Sequence, residues 1–302
     1  MFRKKLALWV RNTCTIAGTA ILLAMGTGSA AAQDDVGAEE SKVKVGAGGA
    51  AVKKDIGDQA TNPVANLISL RMQDQYTASS YNADSYANTA LLQVVLPVEL
   101  PFESAPMLVT RTTVPWVWTQ DFDDPIGRRK GMGDTTFNAF IIPKWQPKNA
   151  VIGVGPTFTL PTAGDNEFTG AGKWQAGPSI VYMNTAIPKW QIGALLFHQW
   201  DVGSARTGSQ DVSQTYFQPI ITKHMDNGWY VAAPDVPQVY NHETNNWSLN
   251  LGAVIGRVFK PKNAKNPVQI YGGLYYNTED IEGVVSPEWT IKFQYGILLP
   301  GG

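Results

Sequence analysis

Cysteine is nearly absent from this 302-residue sequence. The one example, Cys14, lies near the N-terminus without the small-residue context of a lipoprotein cleavage site, so a lipid anchor is not expected. Everything after it is free of cysteine, which excludes a disulfide framework and a thiolate metal site there. Histidine is scarce as well: His198, His224 and His242 are the three in the chain. No apolar run reaches the roughly 18 residues that a membrane-spanning helix needs. Positive charge is not in excess either, with 24 Lys and Arg against 25 Asp and Glu. Without a basic stripe, a nucleic-acid partner is not expected.

What is present begins with export chemistry. Arg3, Lys4, Lys5 and Arg11 precede an apolar run from about Ile16 to Met25, followed by Gly28-Ser29-Ala30-Ala31-Ala32. This pattern predicts a signal peptide over 1–32 with cleavage after Ala32. Its loss takes away four basic residues and no acidic one, leaving 20 against 25 and a net charge of about −5. Residues 33–61, rich in Gly, Ala, Lys and Asp, read as a flexible leader or a short plug that runs into the first strand. Residues 62–302 form the folded body.

That body is a series of strands. From Asn66 on, segments of about eight to thirteen residues place apolar side chains on one face and polar ones on the other. Ile68, Leu70, Met72 and Tyr76 oppose Arg71, Gln73 and Gln75, and Leu92, Val94, Leu96, Val98 and Leu100 oppose Gln93 and Glu99. Leu108, Val114, Trp116 and Trp118 oppose Arg111 and Thr113. Further candidates are 134–143, 151–160, 173–183, 190–200, 214–224, 228–234, 246–258, 268–276 and 288–299. The last carries Trp289, Ile291, Phe293, Tyr295, Ile297 and Leu299 against Glu288, Thr290, Lys292 and Gln294. About twelve strands result, the even number expected of an up-and-down barrel, with the closing strand paired to the first.

Loop lengths alternate too. Short turns rich in Pro, Lys and Asn (101–106, 144–149, 184–189, 225–227, 260–266) take turns with longer loops rich in Asp, Ser, Gly and Asn (77–86, 119–133, 161–172, 201–213, 237–245, 277–286). Short periplasmic turns and long external loops are the habit of outer-membrane barrels. The chain is also rich in aromatics, with ten Trp and eleven Tyr. Trp116, Trp118, Trp145, Trp174, Trp190, Trp200, Trp229, Trp247 and Trp289 fall near strand ends, where rings at headgroup level form girdles. The fold class is therefore an all-β, transmembrane antiparallel barrel in the outer membrane of a Gram-negative cell, reached by export.

Ordered motifs strengthen this reading. Asn62-Pro63-Val64-Ala65-Asn66-Leu67-Ile68-Ser69-Leu70 resembles the opening strand of the outer-membrane family labelled "MetA-pathway of phenol degradation, putative transporter". Gly133-Asp134-Thr135-Thr136, Gly153-Val154-Gly155-Pro156-Thr157-Phe158, Gly172-Lys173-Trp174-Gln175-Ala176-Gly177-Pro178, Phe217-Gln218-Pro219 and Asn227-Gly228-Trp229-Tyr230 resemble its later signatures. The resemblance runs from about Asn62 to Pro300. It implies an outer-membrane channel or transporter for passive passage of small compounds, hydrophobic or aromatic ones among them. It brings no catalytic residues with it.

If apolar faces meet lipid, the opposite faces line the lumen. That predicts Arg71, Gln73, Glu99, Arg111, Asp134, Lys173, Gln175, Glu288, Lys292 and Gln294 as lumen-lining residues. An Arg or Lys facing lipid at the midplane costs about 2–4 kcal/mol, so the interior is the cheaper place for it. Their mixed signs allow either a salt-bridged, filled lumen or a solute path. Twelve strands lie between a filled eight-stranded barrel and a sixteen-stranded aqueous pore, so the pore should be narrow.

The other reading is a lipid-modifying enzyme, a lipase or deacylase. It needs a nucleophile, a base and an orienting group. No recognised nucleophile motif surrounds Ser248, and His242-Glu243 is a weak metal pair. The expectation is no enzyme, no cofactor and no metal. The expected partners are outer-membrane lipids, lipopolysaccharide, a small-molecule solute and, during insertion, the barrel-assembly machinery. Asp121, Asp123 and Asp124 with Arg128, Arg129 and Lys130 form either a lipopolysaccharide contact or an ordinary solvated loop.

Overall fold

Residues that alternate in polarity along an extended chain point to opposite faces, and a sheet curled on itself gives those faces two different solvents. The structure, a computed structural model, describes residues 56–83, 86–119, 129–164, 169–279 and 286–300. The expected signal peptide, most of the leader, and the acidic residues of the 119–133 loop lie outside the described residues.

A short helix, α1 (Ile56–Ala60), precedes fifteen strand segments. They are β1 (Leu67–Tyr81), β2 (Ala87–Glu99), β3 (Met107–Thr119), β4 (Lys130–Met132), β5 (Thr135–Ile142), β6 (Ala150–Leu160), β7 (Lys173–Asn184) and β8 (Trp190–Ser204). Then come β9 (Ser213–His224), β10 (Trp229–Ala232), β11 (Gln238–Asn241), β12 (Asn246–Ser248), β13 (Asn250–Phe259), β14 (Val268–Asn277) and β15 (Ser286–Pro300). Three staves of the barrel are each in two pieces. β4 and β5 both pair with β3, β10 and β11 both pair with β9, and β12 and β13 follow them as the next stave. The result is a closed antiparallel barrel of 12 staves. Closure is made by β15 against β1, in register from Leu67 opposite Pro300 to Thr77 opposite Thr290, then with an irregularity around Ser79 before Tyr81 meets Ser286.

The closing strand keeps its two faces. Trp289, Phe293, Tyr295 and Leu299 are exposed, whereas Thr290, Lys292 and Gln294 are buried. On β1, Leu70, Met72 and Tyr76 face out, and Ser69, Gln73, Gln75 and Thr77 face in. The same exposed apolar band continues through Leu92, Leu96, Ile180, Leu196, Ile255 and Leu274 on other staves. A surface this apolar is stable against acyl chains rather than water. Trp116, Trp118, Trp174, Trp200, Trp247 and Trp289 are exposed toward one rim, and Trp145 and Trp229 toward the other, placed as two girdles.

The short-turn end needs tight chain reversal. Asn149, Lys189 and Asn227 adopt positive φ of 58°, 65° and 57°, a left-handed conformation that Asn tolerates best. Ion pairs decorate this rim: Lys144 to Glu103 at 2.7 Å and Lys189 to Asp226 at 2.8 Å. The Lys189 ammonium holds the Asp226 carboxyl below the usual carboxylate range.

Strands reach further into the long loops than alternation alone predicts. β1 extends to Tyr81, β8 to Ser204, and Lys130–Met132 pairs with β3 as β4. Gln238–Asn241, expected in an external loop, is strand β11, paired with both β9 and β12. The expected strand 228–234 stops at Ala232, because Pro234 and Pro237 have no N–H to give to a ladder.

Inside, the half nearer the short turns is packed. Val95, Val109, Phe140, Ile142, Val181, Met183, Leu195 and Ile220 form one buried cluster with Val64. Leu67, Tyr230, Val254, Val258, Tyr271 and Leu298 form a second with Ala60. The residues that precede β1 therefore cross the lumen, touching one wall through Ala60 and the other through Val64.

Candidate functional site

The lumen divides at a waist. Between Ala232 and Gln238 the ninth stave leaves the wall, and Asp235 lies in this stretch between the two prolines. Its carboxylate accepts hydrogen bonds from Lys292 Nζ, from Tyr271 Oη at 2.7 Å and from Gln73 Nε2 at 3.1 Å. The Lys292 side chain is 1% exposed and that of Asp235 27%, so this pair is shielded from solvent on the lysine side. An amide chain leads away from it. Gln73 donates to Gln294 at 2.9 Å, Gln294 to Gln269 at 3.0 Å, and Gln269 to Tyr230 Oη at 2.9 Å.

Two arginines stand at the same level with no carboxylate within ion-pair distance among the described residues, although Arg111 is near enough to feel the charge of Asp235. Arg71 on β1 donates to the Ala60 carbonyl at 3.1 Å and to Gln93 Oε1 at 3.4 Å, while its buried Nε finds no acceptor. Arg111 on β3 faces the same Gln93 amide, with Nε 3.0 Å and Nη2 3.1 Å from the atom that becomes oxygen when the amide is turned. One amide oxygen cannot serve both guanidinium groups.

A cavity opens on either side of the waist. The outer one, of about 240 Å³, sets amides and hydroxyls such as Gln75, Gln199, Thr113 and Thr159 among apolar surface from Leu91, Pro115, Leu195, Phe197 and Val236. The inner one, of about 80 Å³, lies between the waist and α1. Arg111, Gln218 and Asp235 belong to both linings. Below it, Thr61 Oγ1 donates to Gln191 Oε1 at 2.8 Å and lies 3.2 Å from His224 Nε2. Gln191 Nε2 reaches the Asp58 carbonyl at 2.5 Å, so this end of the lumen is closed by polar ties as well as packing.

The ten residues expected in the lumen fall in different places. Gln73, Lys292 and Gln294 are buried at the waist, with Arg71 and Arg111 half-buried beside them. Gln175 is buried along the outer cavity, and neither of its amide atoms has a hydrogen-bond partner. Lys173 is instead a tie across the outer mouth, bonded to Asp201 at 3.2 Å and Asp211 at 2.9 Å. Asp134 fastens an external loop by accepting the Ala171 N–H at 2.7 Å and the Ala163 N–H at 3.2 Å. Glu288 is half-buried at the external end of β15. Glu99 keeps the inward register but is exposed, because β2 has there run past the packed interior to the short-turn rim.

Several residues of the site escaped the sequence reading. Among the described residues, eleven glutamines are buried, of which three had been singled out. The others, Gln93 and Gln199 among them, were visible as polar residues flanked by apolar neighbours. Asp235 had one signal, its place between two prolines in an otherwise extended run. The histidines also group unexpectedly. Thr215 Oγ1 lies 2.8 Å from His198 Nδ1 and 2.9 Å from His242 Nε2, on the outward face beside Trp200. Among the described residues no carboxylate is bonded to this trio to orient it.

Known proteins place the barrel in context. The sequence profile of the family described as "Putative MetA-pathway of phenol degradation" matches residues 71–233. The fold is similar to the crystal structure of the COG4313 outer membrane channel from Pseudomonas putida F1, with a TM-score of 0.56 and 15% identity over 78% of this chain and 96% of that one. The beta domain of the Bordetella autotransporter BrkA aligns with a TM-score of 0.36 and 11% identity over 77% of this chain and 98% of that one. No curated protein matches by sequence.

Proposed function

The chain belongs to the family described as "Putative MetA-pathway of phenol degradation", and from that membership and the barrel's geometry we propose that it is a narrow, passive outer-membrane channel for small solutes. The observation that carries this reading is the outer cavity, which leads from the long-loop end to a charged waist. The amides and hydroxyls set in its lining replace some of water's hydrogen bonds as a solute loses its hydration shell, which lowers the barrier to entry. The similarity to the COG4313 outer membrane channel supports the same reading and an outer-membrane location.

The lining also bears on the solute. Hydrophobic or aromatic compounds, the class implied by the family label, meet apolar surface in the outer half from Leu91, Pro115, Leu195, Phe197, Tyr216 and Val236, interleaved with amides and hydroxyls. Phe197 and Tyr216 are stacked with ring centroids 4.4 Å apart. Solutes combining a small ring with hydrogen-bonding groups fit this wall better than hydrocarbons do. α1 and residues 61–66 narrow the other end, so large solutes are excluded.

Liposome swelling with the full chain, using solutes graded in size and polarity, tests the proposal. Swelling should fall off steeply with solute size and should favour small hydrogen-bonding solutes. No swelling with any solute, together with no conductance in planar bilayers, would remove the channel reading.

A further inference from the structure

Among the described residues, the waist holds more positive than negative charge. Arg71, Arg111 and Lys292 contribute three cations there, and Asp235 contributes one carboxylate, which Lys292 engages directly. The remaining carboxylate of the two cavity linings, Asp134, is already bonded to the backbone of an external loop. The Gln93 amide oxygen can therefore accept from one guanidinium or the other, according to how the amide is turned. Burying a cation without an acceptor is costly, and a guanidinium fork matches a carboxylate's two oxygens.

The inner cavity beside them is of mixed character. Arg71 and Arg111 line it together with Asp235, Gln218, Gln269 and Gln294, while Ala60, Ile220, Val254 and the ring of Tyr230 add an apolar wall. A hydrated inorganic ion would leave that apolar wall unused, whereas an organic acid has both parts. We infer that Arg71 and Arg111 form a binding site for the carboxylate of a small organic acid, whose apolar body lies against this wall. The inference deepens the channel reading and rests on it for the route by which the acid arrives: through the amide-lined outer cavity, with Arg111 common to both cavities.

The test uses the full chain, with benzoate and propionate as probes and benzamide, propionamide and inorganic phosphate as controls. Calorimetry on the detergent-solubilised protein should show the two carboxylates binding and the two amides not. Arg71→Gln and Arg111→Gln should each weaken benzoate binding by about tenfold or more, the effect of losing one charge-assisted contact. Arg111→Lys keeps the charge but not the fork, so it should bind benzoate more weakly than the parent and more tightly than the glutamine variant. In planar bilayers the reversal potential in a KCl gradient should show anion preference, and benzoate should reduce the chloride current. Heat-modifiable migration on gels reports whether each variant has folded, and the lysine variant keeps the test alive if the glutamine variants do not.

Benzamide or phosphate binding as tightly as benzoate would overturn the site, as would benzoate binding unchanged in Arg71→Gln and Arg111→Gln. Cation preference would overturn it too. Benzoate binding in a protein that neither conducts nor swells liposomes would sink the channel reading and leave the site standing. Conductance without arginine-dependent benzoate binding would do the reverse, and neither binding nor conductance would sink both.

Discussion

The two halves of the lumen are built from opposite materials on one continuous wall. Toward the long loops the inward side chains are amides and hydroxyls, as with Gln199 bonded to Thr157 and Thr159 at 3.0 and 3.1 Å. Toward the short turns they are Val95, Val109, Phe140, Val181 and Met183, closed over by α1 and Val64. The same staves run through both. The sheet therefore supplies closure to both halves equally, and the inward side chains decide which half is a passage and which is a stopper. Cohesion should be concentrated in the packed half, with the outer half kept open at little cost in stability.

Substitutions ranked by effect can break or sharpen that contrast, each read by urea unfolding in detergent. Phe140→Ala, in the packed half, should lower stability by about 4 kcal/mol through lost burial and a cavity. A loss near zero would mean the stopper is loosely packed. Asp235→Ala, at the waist, should lower it by about 3 kcal/mol by leaving Lys292 buried without its partner. Adding Lys292→Met should restore most of that loss, and failure to do so would show that Asp235 acts through Tyr271 and Gln73 instead. In the outer half, Gln199→Ala should lower stability by only about 1 kcal/mol, because two neutral hydrogen bonds are exchanged for bonds to water. A loss as large as that of Phe140→Ala would erase the distinction between the halves. Lys144→Ala at the rim should change stability by less than about 0.5 kcal/mol, since the Lys144 and Glu103 side chains are 42% and 89% exposed.

The contrast also explains what could be read from the sequence. The outward face was legible throughout, because one lipid environment demands one kind of residue: Leu92, Val94 and Leu96 on β2 announce it together. The inward face has no such uniform demand. On that same strand Gln93 faces the polar half and Val95 the packed half, and an inward valine looks like any other apolar residue in a strand. The waist was half legible. Arg71, Arg111 and Lys292 are identifiable because charge facing lipid is expensive, but the carboxylate that pairs with Lys292 is not. Asp235 reaches them through a break in a stave, which follows from Pro234 and Pro237 and not from any period-two pattern. Register places Lys173 and Asp134 on the inward face, where Asp134 lines the outer cavity and Lys173 is buried, but their ties to loop residues distant in sequence follow from no strand pattern.

The seam between β1 and β15 has a consequence in time. Leu67 pairs with Pro300, so the first stave has no partner on that edge until the last one has been synthesised. Contacts so far apart in sequence form slowly, and the waiting edge of β1 offers unpaired backbone groups to any passing strand. Until the seam closes, the lifetime of the unfinished sheet sets the competition between folding and aggregation.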